Sequence, residues 1–116
     1  MIECIFCQIA EGKIPVTFVY QDEQVIAFKD LHPVAPVHVL IVPRHHADDI
    51  LGLAGDPAGP GIMAAVLKAI PKIAQVLGVA ETGFRLINNC GPDAGQTINH
   101  VHVHMIGGRH LGAKII

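Results

Sequence analysis

The run His100-Val101-His102-Val103-His104-Met105-Ile106 alternates imidazoles with apolar side chains at a period of two. That period belongs to a β-strand, in which alternate residues share a face. It predicts a strand over His100–Ile106, with His100, His102 and His104 on one side and Val101, Val103 and Met105 on the other. Three polar rings pack such a face worse than Val or Ile would, and burying them costs free energy unless every nitrogen finds a partner. The row therefore reads as functional. At ~3.3 Å per residue the outer two imidazoles stand about 13 Å apart, too far to ligate one ion unless the strand bends sharply. The three rings must divide their labour.

Outward from this strand, Asn89–Asn99 is a long irregular connection holding Gly91, Pro92, Gly95, Gln96 and Thr97. Loops beside a rigid strand are where function tends to sit. Phe84–Asn88 reads as the preceding strand. Ile62, Val66, Ile70, Ile73 and Leu77 recur at helical spacing and predict the main amphipathic helix over Ile62–Leu77, closed by Gly78. Pro71 lies inside it, so either the helix kinks or packing absorbs the lost backbone bond. A loop over Gly55–Gly61 and a short helix over His46–Leu53 precede it. Pro43 ends a strand over His38–Val42. Asp30–Val37, with Pro33 and Pro36, is a loop. Val16–Tyr20 and Val25–Lys29 form a hairpin around the turn Gln21–Gln24, and a first short helix spans Cys4–Glu11, ended by Gly12. The order β-β-β-α-β-β predicts an α+β fold: a five-stranded, mainly antiparallel sheet with one main amphipathic helix and short helices.

With 116 residues, 51% of them hydrophobic, the chain can build one domain, and 4% aromatics with no Trp make its core aliphatic. A net charge of −2 excludes the broad basic surface that a polynucleotide needs, but leaves room for a small anionic ligand. Met1–Cys7 lacks the basic start and apolar run of a leader, which points to the cytoplasm. Gly61–Ala80 is apolar, yet central Lys68 and Lys72 oppose membrane insertion at roughly 2.5–3.5 kcal/mol each. The three cysteines are odd in number and make a disulfide framework improbable.

The alternation His100-Val101-His102-Val103-His104-Met105 resembles the signature of the histidine triad (HIT) superfamily. Further motifs are similar to its Hint branch, the histidine triad nucleotide-binding proteins: Ile14-Pro15, Ala27-Phe28-Lys29-Asp30, Ala35-Pro36-Val37-His38-Val39-Leu40-Ile41-Val42-Pro43, Asn89, Gly95-Gln96-Thr97 and Gly107-Gly108-Arg109. The resemblance covers nearly the whole chain, as a single HIT domain over residues 1–116. It implies a homodimer whose sheets join, a site for purine nucleoside monophosphate derivatives, and hydrolysis of nucleoside 5'-phosphoramidates, with related action on acyl-adenylates. It assigns His102 as nucleophile, His104 as the phosphate partner and His38 as the end of a polar relay. It points to Phe6, Ile9, Phe28 and Leu31 as walls of a base pocket and to Asp30 as ribose acceptor, with Asn89, Gly95, Gln96 and Thr97 beside the phosphate. From the residues alone, Phe6, Ile9, Phe28 and Leu31 read as core and Asp30 as a turn residue. A neutral imidazole attacks phosphorus without the base that a Ser hydroxyl needs. Charge on the phosphoryl group would be met by Gln96, Thr97, backbone N–H groups and His104. No Mg²⁺ motif is evident, and the family requires none for this hydrolysis.

Cys4-x-x-Cys7 reads as a redox pair, a metal half-site or coincidence; the βαβ setting of a redox motif is absent. Tetrahedral zinc needs two further ligands, and His45, His46 and His100 are available. The resemblance selects Cys4, Cys7, His46 and His100 for a structural Zn²⁺. Two other readings stand beside the phosphoramidate hydrolase: a dinucleoside polyphosphate hydrolase or nucleotidyltransferase, and a nucleotide-binding scaffold with incidental turnover.

Overall fold

The protein, seen here as a computed structural model, is described over residues 4–116; Met1–Glu3, part of the stretch read above for a leader, lie outside the described residues. The elements run α1 (Ile5–Ala10), β1 (Phe18–Gln21), β2 (Val25–Lys29), β3 (Val37–Pro43), α2 (Ile50–Ala54), α3 (Gly59–Val76), β4 (Phe84–Ile87) and β5 (Val103–Gly107), with a 3₁₀ turn at Pro92–Ala94. The sheet order is β1-β2-β3-β5-β4, and every neighbouring pair is antiparallel. The expected α+β, five-stranded architecture is therefore present.

Period-two alternation sorts the central strands between two cores. Val25, Ala27, Val39, Ile41 and Met105 face Ala65, Val66, Ala69 and Ile73 of α3. Ile26, Phe28, Leu40 and Val42 face Phe6 and Ile9 of α1. Six residues are too few for a self-sufficient helix. Burial of Phe6 and Ile9, worth about 1.5–3 kcal/mol each, holds α1 to the sheet. The Cys4 side chain accepts the Cys7 N–H as its N-cap.

Several expected bounds shift, β1 from Val16–Tyr20 to Phe18–Gln21 among them, and three corrections have a local physical cause. The strand predicted over His100–Ile106 begins only at Val103. β3 ends at Pro43, which has no N–H to continue a ladder, so Val101 bonds instead to the chain beyond it: its N–H donates to the Ala47 carbonyl at 2.8 Å. The helix predicted over His46–Leu53 starts at Ile50, because Asp49 is its N-cap and accepts the Gly52 N–H. The loop predicted to Gly61 ends at Gly59, where α3 begins with Pro60 in its first turn. Gly59 is obligatory there, since a Cβ would stand 2.0 Å from the Leu53 carbonyl oxygen. Pro71 does not interrupt α3; it and Leu67, whose carbonyl would have received its N–H, are both exposed, so water can replace the lost donor. Among the described residues no helix is long and apolar enough to cross a membrane.

Candidate active site and metal centre

Cys4 caps α1, Cys7 lies one turn into it, His46 follows β3, and His100 precedes β5. Their donor atoms all lie within 4.8 Å of one another. Cys4 Sγ is 3.2 Å from His100 Nδ1, Cys7 Sγ is 3.4 Å from His46 Nδ1, and the two Nδ1 atoms are 3.1 Å apart. Tetrahedral zinc, with bonds of ~2.3 Å to sulfur and ~2.0–2.1 Å to nitrogen, spaces its ligands about 3.3–3.8 Å apart. The outer ring nitrogens are engaged in a compatible way. His100 Nε2–H donates to the Pro43 carbonyl at 2.7 Å, and His46 Nε2–H to the Asp48 carboxylate at 2.8 Å. Both Nδ1 atoms are then bare lone pairs pointed at each other, an arrangement that a cation between them relieves. Burial, then the neighbouring Cys4, pushes the Cys7 thiol up to about 11, as expected of paired thiols that need a metal to ionise together. The donor set thus fits a metal ion.

Alternation persists through the irregular residues, and all three histidines lie on the α1 side of the sheet. His100 is fully buried and turned to the cysteines. His102 is 7% exposed; its Nδ1–H donates to the His100 carbonyl at 2.7 Å, leaving Nε2 as the unprotonated nitrogen of the neutral ring. Phe6 packs edge-on against both, with centroids 5.9 Å from His100 and 5.1 Å from His102. Asn88 Nδ2 holds the His102 carbonyl at 2.9 Å. His104, inside β5, lies 5.3 Å from His102 between ring centroids, and its Nδ1 is 2.9 Å from Nε2 of His38 on β3. Asp30 Oδ2 stands 3.4 Å from the same His38 nitrogen. Asp30, His38 and His104 are close enough to suggest a second metal cluster, but 2.9 Å between ring nitrogens is a hydrogen bond and shorter than a tetrahedral bite. Burial, followed by His102 and His38, holds His104 below the ordinary imidazole range, so it is neutral at neutral pH. One unprotonated nitrogen beside a neutral imidazole donor is an arrangement for attack on an electrophile whose charge is met by a hydrogen bond.

The HIT domain family model matches residues 11–111. This chain belongs to the HIT family. It is 38% identical over 113 residues to the purine nucleoside phosphoramidase of Escherichia coli strain K12, covering 97% of this chain and 93% of that protein. It is 40% identical to the 14 kDa zinc-binding protein of Zea mays, covering 92% of this chain and 83% of the other. A solved HIT family hydrolase from Clostridium thermocellum superposes with a TM-score of 0.92 at 45% identity, covering 100% of this chain and 99% of that one.

Within the HIT domain the other expected residues are placed unevenly. Phe6, Ile9 and Phe28 come together, with Phe6 and Phe28 edge to face at 5.6 Å, whereas Leu31 is 90% exposed and stands apart. Asp30 Oδ1 accepts the His32 N–H at 2.8 Å, the turn contact read from its type. Asn89 Nδ2 donates to the Ala94 carbonyl. Gln96 is fully engaged: Oε1 accepts the Gly91 N–H, and Nε2 donates to the Asp48 and Ile98 carbonyls. It ties the Asn89–Asn99 loop to the turn that follows His46. Thr97 is exposed. His45 pairs with Asp56 at 2.7 Å, away from the cysteines. Sequence reasoning missed Asn88, Asp48 and the Pro43 carbonyl. Asp48, two residues after His46, carried the only residue-type signal, a carboxylate within reach of a ligand's outer nitrogen.

Proposed function

We propose that the protein hydrolyses purine nucleoside 5'-phosphoramidates through a nucleotidylated His102. The observation that carries this is the 2.7 Å bond from His102 Nδ1–H to the His100 carbonyl, which leaves Nε2 free for attack. Nε2 forms a bond to phosphorus as the phosphorus–nitrogen bond breaks, and the leaving nitrogen takes a proton from solvent and departs as the amine. Water then attacks the same phosphorus and gives its proton back to solvent, the bond to Nε2 breaks with its electron pair returning to the ring, and the nucleoside monophosphate leaves. His104 donates to a phosphoryl oxygen. Asn89, Gly95, Gln96 and Thr97 border the phosphate, Gln96 by bracing the loop. Phe6, Ile9 and Phe28 wall the base, with the exposed Leu31 at its solvent-facing rim, and Asp30 accepts from the ribose; Phe6 against His102 supports an apolar wall beside the reacting nitrogen.

Cys4, Cys7, His46 and His100 would hold Zn²⁺. A four-ligand site leaves no open position for water, so its part is structural. Two thiols that must stay reduced fit a cytoplasmic protein. The whole chain acts as one HIT domain and pairs through β4, an edge strand where Leu86 is 42% exposed.

The test is release of AMP from adenosine 5'-phosphoramidate by wild type and His102→Ala. Loss of the nucleophile should lower the rate at least about 10³-fold. Equal release from both proteins would refute the assignment.

A further inference from the structure

His38 has an imidazole that is 7% exposed, and both of its nitrogens are spoken for. Nε2 faces His104 Nδ1 at 2.9 Å and Asp30 Oδ2 at 3.4 Å. Nδ1 is 3.1 Å from the main-chain nitrogen of Val34, whose N–H donates to it. A main-chain N–H cannot accept, so a proton on His38 Nδ1 would set two donors against each other. The neutral ring must therefore carry its proton on Nε2, which donates to His104 Nδ1. His104 accepts there, and its own proton is confined to Nε2.

We propose that the main-chain N–H of Val34 is a positioning group that fixes, through His38, the tautomer in which His104 presents Nε2–H to substrate. In the other tautomer His104 would turn a lone pair toward a phosphoryl oxygen and repel it. The side chain of Val34 takes no part, being 63% exposed. The loop is built to aim this amide. The Asp30 N–H donates to the His38 carbonyl at 3.0 Å and closes its base, while the Asp30 carboxylate holds the His32 N–H. Pro33 and Pro36 bracket the donor, each fixing its own φ and biasing the residue before it to extended chain. Asp30 Oδ2, facing Nε2, favours the same proton placement, so two groups select one tautomer.

The role of His104 toward phosphate rests on the function proposed above; the tautomers do not, and the test separates the two. Protein labelled with ¹⁵N-histidine is examined without substrate, as wild type, Val34→Pro, which deletes the N–H, and Val34→Ala, which keeps it. Wild type and V34A should show His38 and His104 each protonated at Nε2 and bare at Nδ1. V34P should show mixed tautomers at both rings. Its kcat on adenosine 5'-phosphoramidate should fall in proportion to the His104 population that loses Nε2–H, up to about twofold with KM nearly unchanged, less than the 10²–10³ of losing an oxyanion donor because Asp30 still favours the working form. A protonated Nδ1 on His38 in wild type overturns the proposal, and that spectrum decides even if V34P does not fold. So does a folded V34P with unaltered tautomers and rate. Correct tautomers without hydrolysis by wild type would leave the relay standing and refute the substrate reading.

Discussion

Stripping the metal should lower the melting temperature by about 17 °C. Without a cation, His46 and His100 face each other with bare Nδ1 atoms 3.1 Å apart, and the Cys7 thiol is held up to about 11. A metal at a thousandfold its dissociation constant stabilises the folded state by about 4.1 kcal/mol. The 116 residues give a melting entropy of about 0.24 kcal/mol/K, and the quotient is the expected shift. Calorimetry of zinc-loaded and chelator-stripped protein, with zinc quantified in each, measures it. Cys4→Ser is the sharper perturbation: a Ser oxygen still caps the Cys7 N–H, so α1 keeps its start while the site loses a thiolate. This variant should melt near the stripped wild type whether or not zinc is added. If stripped protein, with under about 0.1 zinc per chain, melts within about 2 °C of the loaded form, the metal contributes nothing to the fold and the assignment fails.

Two further outcomes follow from the same packing. His104 is held below the ordinary imidazole value near 6.5 by burial, then by His102 and His38. Between the two values the unfolded chain binds more protons, so the stability this neutral ring contributes is complete above about pH 6.5 and is lost as pH falls through the folded value. Urea midpoints from pH 7.5 to 5 should therefore drop less steeply in His104→Asn than in wild type, and identical slopes would contradict the burial argument. Gly59→Ala places a Cβ 2.0 Å from the Leu53 carbonyl oxygen and should cost about 3 kcal/mol in urea unfolding; a cost near zero would mean that the α2–α3 junction is not as close as described.

What could be read in advance follows from which groups carry the signal. β2 is legible to the residue, Val25–Lys29, because Val, Ile and Phe between polar turns have one natural reading. The start of β5 was misplaced because alternation reports the direction of side chains, which persists through His100 and His102, and not the ladder, which Pro43 ends. The start of α2 has a residue-type signal in Asp49 as a cap, and that of α3 has one in Gly59-Pro60, inside a stretch whose Gly and Pro density reads as loop. In the site, His102 stands out by its row, but the approach of His38 to His104 spans 66 positions, and no local pattern encodes it. Main-chain partners such as the Val34 N–H and the Pro43 carbonyl have no residue-type signature at all.

The departure from a regular strand is what gives His102 Nδ1 its partner. In a continued ladder the carbonyl of residue 100 would accept an N–H from a neighbouring strand, and His102 Nδ1 would have to find its partner elsewhere. Residue 100 faces the β4 side, and because β4 ends at Ile87 the His100 carbonyl remains open and takes the His102 Nδ1–H at 2.7 Å, while the Pro43 carbonyl takes His100 Nε2–H at the same distance. His100 thus has its ring in the cysteine cluster and its carbonyl on the proposed nucleophile. A metal held by that ring would fix the position of the carbonyl, and through it the tautomer of His102, without touching substrate. The link between the two centres is one residue long, so weakening the Cys₂His₂ set should loosen the nucleophile before it loosens the sheet, whose own packing of β2, β3 and β5 against α3 does not pass through His100.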